Sequence, residues 1–384
     1  MNEHLEISGD ERIYVITDNH GHAMILERLL DLVHCHIKQN PLKKNQTARI
    51  LFLGDMNDKG PDTAGVFKIL VERMGLGKKG SRNHKYRISF SGLVGNHEYN
   101  LNLFLLGSRE RFQDTDVSKD LHREMLTGEK RRWTYESLCW FLEGGGLQTA
   151  ESYGVIKNKL KERFELLRIR VAEIQRRRPV QAAPSATKSE RDISHDVLKA
   201  AQELDIDFEK IRDALKVEMK RRNHLKILSA LYASAERMPT ENLPRLAFLH
   251  AKTGLLETVH LRDLSLEVKT GVRKADDSTS RIRIRRGAVR RMIQFHGHKS
   301  GKTIPNVKPN SIGLDSRIVS TGVGVAMVID HDQIGYIETA SNHKRGKGDV
   351  IMKELGTMTP QGDIILHPSF APIRIADIRA IPAP

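Results

Sequence analysis

The sequence predicts an α/β fold: two sheets packed as a sandwich, flanked by helices, with an antiparallel helical hairpin inserted mid-chain. Three observations carry this. The first 105 residues alternate apolar strand-like runs with amphipathic helical stretches. From about residue 245 onward β-type runs dominate. Between them lie two stretches whose apolar residues recur at steps of three and four, separated by a Pro-containing loop.

In order along the chain, Ile13-Tyr14-Val15-Ile16 places a strand over 12–17. Ile25, Leu26, Leu29, Leu30, Val33 and Ile37 then share one face of a helix over 22–38. A strand over 49–54, a helix over 62–74 and a strand over 87–94 complete a βαβαβ pattern, which implies parallel pairing. The later runs at 245–250, 291–296, 311–315, 322–330 and 334–338 are expected to form a second sheet packed on the first.

In the insert, Ile156, Leu160, Phe164, Leu167, Val171 and Ile174 form one apolar seam. Val197, Ala201, Leu204, Phe208, Ile211, Leu215 and Met219 form another. The intervening Arg178-Pro179-Val180 cannot continue a helix. The expectation is a hairpin with arms of about 30 Å at ~1.5 Å per residue, followed by a third helix near 224–237. Its seam must pack on itself, on the core or on a second copy. Residues 1–154 and 241–384 are then two halves of one core, and 155–240 the insert.

The 384 residues are 39% hydrophobic and 29% charged, as expected of a globular protein with a full core. No apolar run is long enough to span a membrane. The first residues lack the basic and apolar regions of a secretory signal, so a cytoplasmic protein, or one delivered into a host cell, is expected. Cys35 and Cys139 are expected to be free thiols. The net charge of +15 concentrates in two segments. Residues 155–237 carry 20 Lys and Arg against 13 Asp and Glu, and residues 269–302 carry 11 against 2. The triplets Arg176-Arg177-Arg178 and Lys220-Arg221-Arg222 could meet anionic lipid, acidic protein or nucleic acid. A solvated helical exterior is the favoured reading, and aromatic content of 5% argues against base stacking. Arg281, Arg283 and Arg285 alternate as on a strand face and could line a substrate groove.

The chemistry-bearing residues sit where strands end. Thr17-Asp18-Asn19-His20-Gly21, Gly54-Asp55-Met56-Asn57-Asp58-Lys59-Gly60 and Gly95-Asn96-His97-Glu98 each follow a predicted strand. His250 and His298 follow two more. Ligands of open α/β sheets bind outside the carboxyl ends of strands. A mixed set of carboxylate, imidazole and amide donors there has the composition of a metal site. His22, near a helix start, is expected at the surface. His34 and His36 flank Cys35 on different helix faces and are not expected to form a site.

These motifs, in this order, resemble the calcineurin-like metallophosphoesterases, and within them the phosphoprotein phosphatase (PPP) branch. That branch carries GDxHG, GDxxDRG, GNHE and two later His motifs. Residues 144–154 and 308–315 are similar to further segments of bacterial members. A PPP-like core with a helical-hairpin insert is also similar to bacterial effector phosphatases of the WipA/WipB type. The resemblance implies a metallophosphoesterase-type fold and two divalent ions, Mn²⁺ foremost, with Fe or Zn as alternatives. It implies Asp18, His20 and Asp55 at one ion and Asp55, Asn96, His250 and His298 at the other. The ions would activate a water against a phosphomonoester. His97 would be the general acid, partnered by Asp58, and Lys59 and Asn96 would contact the substrate phosphate.

The sequence departs from the family at Thr17, Lys59, Val94 and Lys252. Lys59 brings positive charge without the bidentate fork of an Arg. The metal ligands are all present while the phosphate-binding positions are altered. The substrate expected is a phosphoprotein, with phosphoserine, phosphothreonine and phosphotyrosine all open. The alternatives are a dinucleoside polyphosphate hydrolase and a catalytically impaired phosphatase-fold binding protein. The hairpin would recruit a protein partner, self-associate or meet an anionic membrane; nucleic acid is not an expected partner.

Overall fold

A computed structural model describes residues 11–76, 87–106, 135–177, 186–237, 246–250, 293–298, 305–308, 311–330, 333–339, 352–358 and 364–366. β1 (Glu11–Ile16), β2 (Thr47–Phe52) and β3 (Ile88–Gly92) pair in parallel, with Ile16 beside Phe52 and Phe52 beside Gly92. α1 (Ala23–Gln39) and α2 (Thr63–Arg73) are the crossovers. The strands end one or two residues before the predicted limits, because the residues that follow leave extended geometry to form the site.

The sequence-based pairing of the later strands needs correction. β8 (Val325–Asp330) pairs antiparallel with the free edge of β1, and β9 (Gln333–Glu338) pairs with β8. With β10 (Lys353–Met358) and β11 (Ile364–Leu366) they give one mixed seven-stranded sheet, ordered β11-β10-β9-β8-β1-β2-β3. Among the described residues, β4 (Leu246–Leu249), β5 (Ile293–His296), β6 (Asn306–Lys308) and β7 (Ser311–Gly313) form the second sheet, ordered β4-β5-β7-β6. The predicted run at 281–286 lies outside the described residues.

Alternation along the central strands builds two cores, one on each face. Tyr14, Ile16, Ile50 and Phe52 point into the layer of helices, while Ile13, Val15, Leu51 and Leu53 meet Phe248, Phe295 and Ile312 of the second sheet. The stacked rings of Phe248 and Phe295, 5.2 Å apart, close that inner layer.

The middle of the chain is helical: α3 (Asn96–Leu106), α4 (Tyr135–Glu143), α5 (Gly146–Ser152), α6 (Asn158–Arg177), α7 (Ala186–Glu203), α8 (Phe208–Arg221) and α9 (Leu225–Arg237). The expected second arm is two helices instead of one. Asp205 adopts a left-handed φ of 54° and the Asp207 side chain accepts the Lys210 N–H, ending one helix and capping the next. The apolar seams pack on the core. Phe141 of α4 stacks on Phe104 of α3 at 4.4 Å and meets Phe164 of α6 and Phe208 of α8. A short α10 (Ile318–Thr321) precedes β8. Among the described residues no helix is long and apolar enough to cross a membrane. Cys35 and Cys139 are not joined in a disulfide. Arg221 and Arg222 both pair with Glu218, so that basic cluster is partly answered on its own helix.

Two buried imidazoles tie helices to neighbouring elements. His36 Nδ1 lies 2.8 Å from the Tyr14 hydroxyl, and His224 Nδ1 lies 2.6 Å from the Tyr153 hydroxyl. Burial, with help from the nearby Arg12 and Arg222 charges respectively, lowers each pKa to about 4. The unfolded chain therefore binds more protons than the fold between pH ~4 and ~6.5. Stability from these groups is full above that window and falls as pH drops through it. Urea denaturation at pH 7 and pH 5 is expected to differ by on the order of 1–2 kcal/mol for each histidine. Ring resonances that titrate near the ordinary value in the folded protein would contradict this.

Candidate metal centre

The site forms at the carboxyl ends of β1, β2, β3, β4 and β5. Strand-end loops that turn sharply need unusual backbone. Among the described residues ten non-glycine positions have positive φ, and six of them are predicted site residues: Asp18, His20, Asp55, Asp58, Lys59 and His298. Such conformations cost of order 1–3 kcal/mol each, and persist where surrounding bonds hold them.

Here the bonds are visible. The Glu98 carboxylate is fully buried and accepts four backbone N–H groups: Gly95 and Asp55 at 2.8 Å, Met56 at 2.6 Å and Asn57 at 3.3 Å. It ties the loop after β2 to the start of α3. A Cβ on Gly95 would stand 2.4 Å from the Asp55 nitrogen, so only glycine permits this approach. Asp55 Oδ1 in turn accepts the His97 N–H at 3.0 Å.

Three imidazoles are pinned by their Nδ1 atoms and present Nε2 inward. His20 Nδ1 faces the Asn57 carbonyl at 3.3 Å, and His250 Nδ1 faces the Leu53 carbonyl at 2.9 Å. His97 Nδ1 faces Asp58 Oδ2 at 2.7 Å. The three Nε2 atoms stand 3.8, 3.4 and 3.9 Å from Asp55 Oδ2, in the same order. Asn96 Oδ1 sits between His250 Nε2 at 3.0 Å and His298 Nδ1 at 2.9 Å. Lys59 Nζ reaches His20 Nε2 at 3.3 Å.

This donor set fits divalent ions. Two donors sharing an ion at ~2.0–2.2 Å are themselves roughly 3–3.5 Å apart. Two groups have ligand atoms within 4.8 Å of one another: His20, Asp55 and His97, and Asp55, His250 and His298. Asp55 belongs to both. The Nδ1 contacts of His20 and His250 to backbone carbonyls are a usual outer support of ligating imidazoles. Asp18, fully buried, is turned elsewhere: both its oxygens accept the His298 N–H, at 3.0 and 3.1 Å, and one accepts the Thr17 hydroxyl at 2.5 Å. Of the predicted ligands, His20, Asp55, His250 and His298 fall in these groups and Asn96 Oδ1 lies beside two of them, whereas Asp18 bonds the His298 backbone; His97, expected as an acid, falls inside one group. His22 is half-buried at the start of α1 rather than exposed.

The electrostatics separate the imidazoles. Burial lowers His20 to about 3 against the pull of Asp55. Burial also lowers His97, but Asp55 and Asp58 outweigh it and leave His97 raised. These rings are 4.8 Å apart with opposite shifts. Burial opposes the charge on Asp55, yet His250, His97 and His20 hold its pKa well below the usual range. Burial raises Asp18 and Glu98. His250, buried but facing Asp55, is pushed up to about 9. Metal ions compete with such protons for the same lone pairs.

Sequence reasoning missed Glu98, Trp140, Thr149 and Thr63 as supports of the site. Glu98 belongs to a motif that was read only for its neighbours. Trp140 and Thr149 lie in or beside the glycine-rich segment at 144–154, where resemblance flagged a stretch but no residue.

No protein-family model matches the chain, and no curated protein matches it. Three solved structures that it is similar to are phosphatases. One is the cold-active protein-tyrosine phosphatase of the psychrophile Shewanella sp., at 13% identity over 86% of this chain and 80% of that chain, TM-score 0.29. A second structure of cold-active protein tyrosine phosphatase matches at 13% over 91% and 82%, TM-score 0.31. A single-residue mutant matches at 14% over 86% and 80%, TM-score 0.30. At these scores no residue's role follows from the likeness.

Glu98→Gln replaces two acceptors facing four N–H donors with one acceptor and an opposing NH₂ group. It is expected to cost about 2–4 kcal/mol in urea unfolding. A loss under about 0.5 kcal/mol would show that the loops hold without this carboxylate.

Proposed function

We propose that this chain is a metal-dependent phosphatase that hydrolyses phosphomonoesters on proteins. The observation that carries the reading is the approach of the His20 and His250 Nε2 atoms to one Asp55 oxygen, Oδ2, at 3.8 and 3.4 Å. Nitrogen and oxygen donors at such separations can share one cation. Two divalent ions, Mn²⁺ foremost, would supply positive charge for the phosphate oxygens and acidify a water.

The chain's own residues divide the remaining work. Asp55 lies between two groups of donors and is the natural bridge. His20, kept neutral by burial, offers its Nε2 lone pair on one side. His250, His298 and the Asn96 carbonyl oxygen face the other, and Asp18 keeps the His298 loop in register. Lys59 and the Asn96 amide would grip the phosphate. His97 is the proton donor to the leaving oxygen. Its Nδ1 is held by a carboxylate rather than a carbonyl, and its pKa moves opposite to that of His20. Opposed shifts on neighbouring groups are the usual mark of divided acid and ligand roles.

The test is phosphate release from phosphoserine, phosphothreonine and phosphotyrosine peptides with Mn²⁺. Chelator is expected to abolish turnover, and His97→Asn to lower kcat by about 10²–10⁴-fold. Absence of metal-dependent turnover on all three peptides would contradict the proposal. Val94, where many relatives of the resembled family carry Arg, supports a second reading as a dinucleoside polyphosphate hydrolase. Turnover of diadenosine tetraphosphate alone would favour it.

A further inference from the structure

We infer that Trp140 and Thr149 are positioning residues for the His97–Asp58 pair, fixing the Asp58 carboxylate so that it aims His97 at the leaving oxygen. The inference rests on the phosphatase reading and adds two residues to its site.

Asp58 is completely buried in a left-handed turn, φ 69°. Its Oδ2 accepts from His97 Nδ1 at 2.7 Å and from the Trp140 indole Nε1 at 2.6 Å. Its Oδ1 accepts the Thr149 hydroxyl at 2.5 Å. Proton accounting fixes the direction of the chain behind Thr149. The Thr149 proton is committed to Asp58, so at the 3.2 Å contact between the two threonine hydroxyls Thr63 must donate. The Thr63 oxygen accepts the Asp58 N–H at 3.1 Å, which closes a one-way ring. The indole N–H can only donate. Three donors therefore converge on one carboxylate, and only His97 belongs to the reacting group.

The enclosure has a back wall. Gly145, at φ 110°, brings its backbone so close that a Cβ there would lie 2.5 Å from the Asp58 Cβ. The corner between α4 and α5 thus blocks one side, while Trp140 and Thr149, one on each helix, hold the two oxygens. Carboxylate torsions are otherwise broad and poorly fixed. Trp140 is itself wedged against Phe104 of α3, the helix that begins with Asn96 and His97. The donor and the receiver of the His97–Asp58 bond are thereby mounted on one packed unit.

Buried hydrogen bonds also support folds, so the test must separate aim from stability. Wild type, Thr149→Val, Thr149→Ser and Trp140→Phe, as full chains with Mn²⁺, are assayed on phenyl phosphate and 2,4-dinitrophenyl phosphate. Phenolate, from a phenol of pKa ~10, needs a proton as it leaves; the dinitrophenolate does not. Thr149→Val and Trp140→Phe are expected to lower kcat on phenyl phosphate by about 10–100-fold, and on the activated ester by less than about 3-fold, with KM unchanged. Thr149→Ser is expected to restore the phenyl phosphate rate. If Trp140→Phe fails to fold, the Thr149 pair decides the matter, and the metal-free Thr149→Val protein should show a shifted His97 Nδ1 proton resonance. Equal losses on both esters, no loss, or failure of serine to rescue would overturn the inference alone. A wild type inert on both esters would overturn the phosphatase reading and this inference together.

Discussion

The buried carboxylate of Glu98 is the constraint on which the rest of the site depends. Burying an ionised group costs several kcal/mol unless it is fully bonded. Here four N–H groups from two loops supply those bonds, and charge-assisted bonds are the stronger kind. Because the four donors come from both the β2 loop and the residue before α3, the carboxylate sets the distance between Asp55 and Asn96-His97. In the proposed function those residues are the shared ligand, the amide and the acid. A fixed Glu98 therefore means a fixed relation between the loop after β2 and the start of α3.

The remaining geometry follows from how strands end. β1, β2 and β3 run parallel, so their carboxyl ends open on one edge of the sheet. Asp18, Asp55 and Asp58 turn out of those ends in left-handed conformations that asparagine, aspartate and glycine tolerate best. The second sheet packs its Phe248 and Phe295 under the first and delivers His250 and His298 to the same edge. Two cores thus press two sheets together, and the site is the seam between them at one end. The helical layer contributes differently. Its corner between α4 and α5 reaches the site at Asp58, by Trp140, Gly145 and Thr149.

Much of this was legible in the sequence, for identifiable reasons. Short apolar runs and the 3.6-residue period place β1 to β3, α1 and α2 within a residue or two, because each strand carries apolar residues on at least one face and each helix has one apolar face. The site candidates were legible because acids, amides and imidazoles follow those strands directly. Partner choice among strands was not. The run at 325–330 is apolar whether it joins the first sheet or the second, and only the unpaired edge of β1 decides. The break at Asp205 was hidden because Leu204 and Phe208 keep helical spacing across it. Trp140 and Thr149 were invisible as site residues because their partner, Asp58, is more than 80 positions away.

The central claim is that Asp55 stands between two cation positions. Anomalous diffraction from crystals grown with Mn²⁺ tests it most directly. The account predicts two manganese peaks, each within bonding distance of Asp55, one beside His20 and one beside His250 and His298. No peak at this cluster, or peaks with Asp55 outside bonding distance, would contradict it.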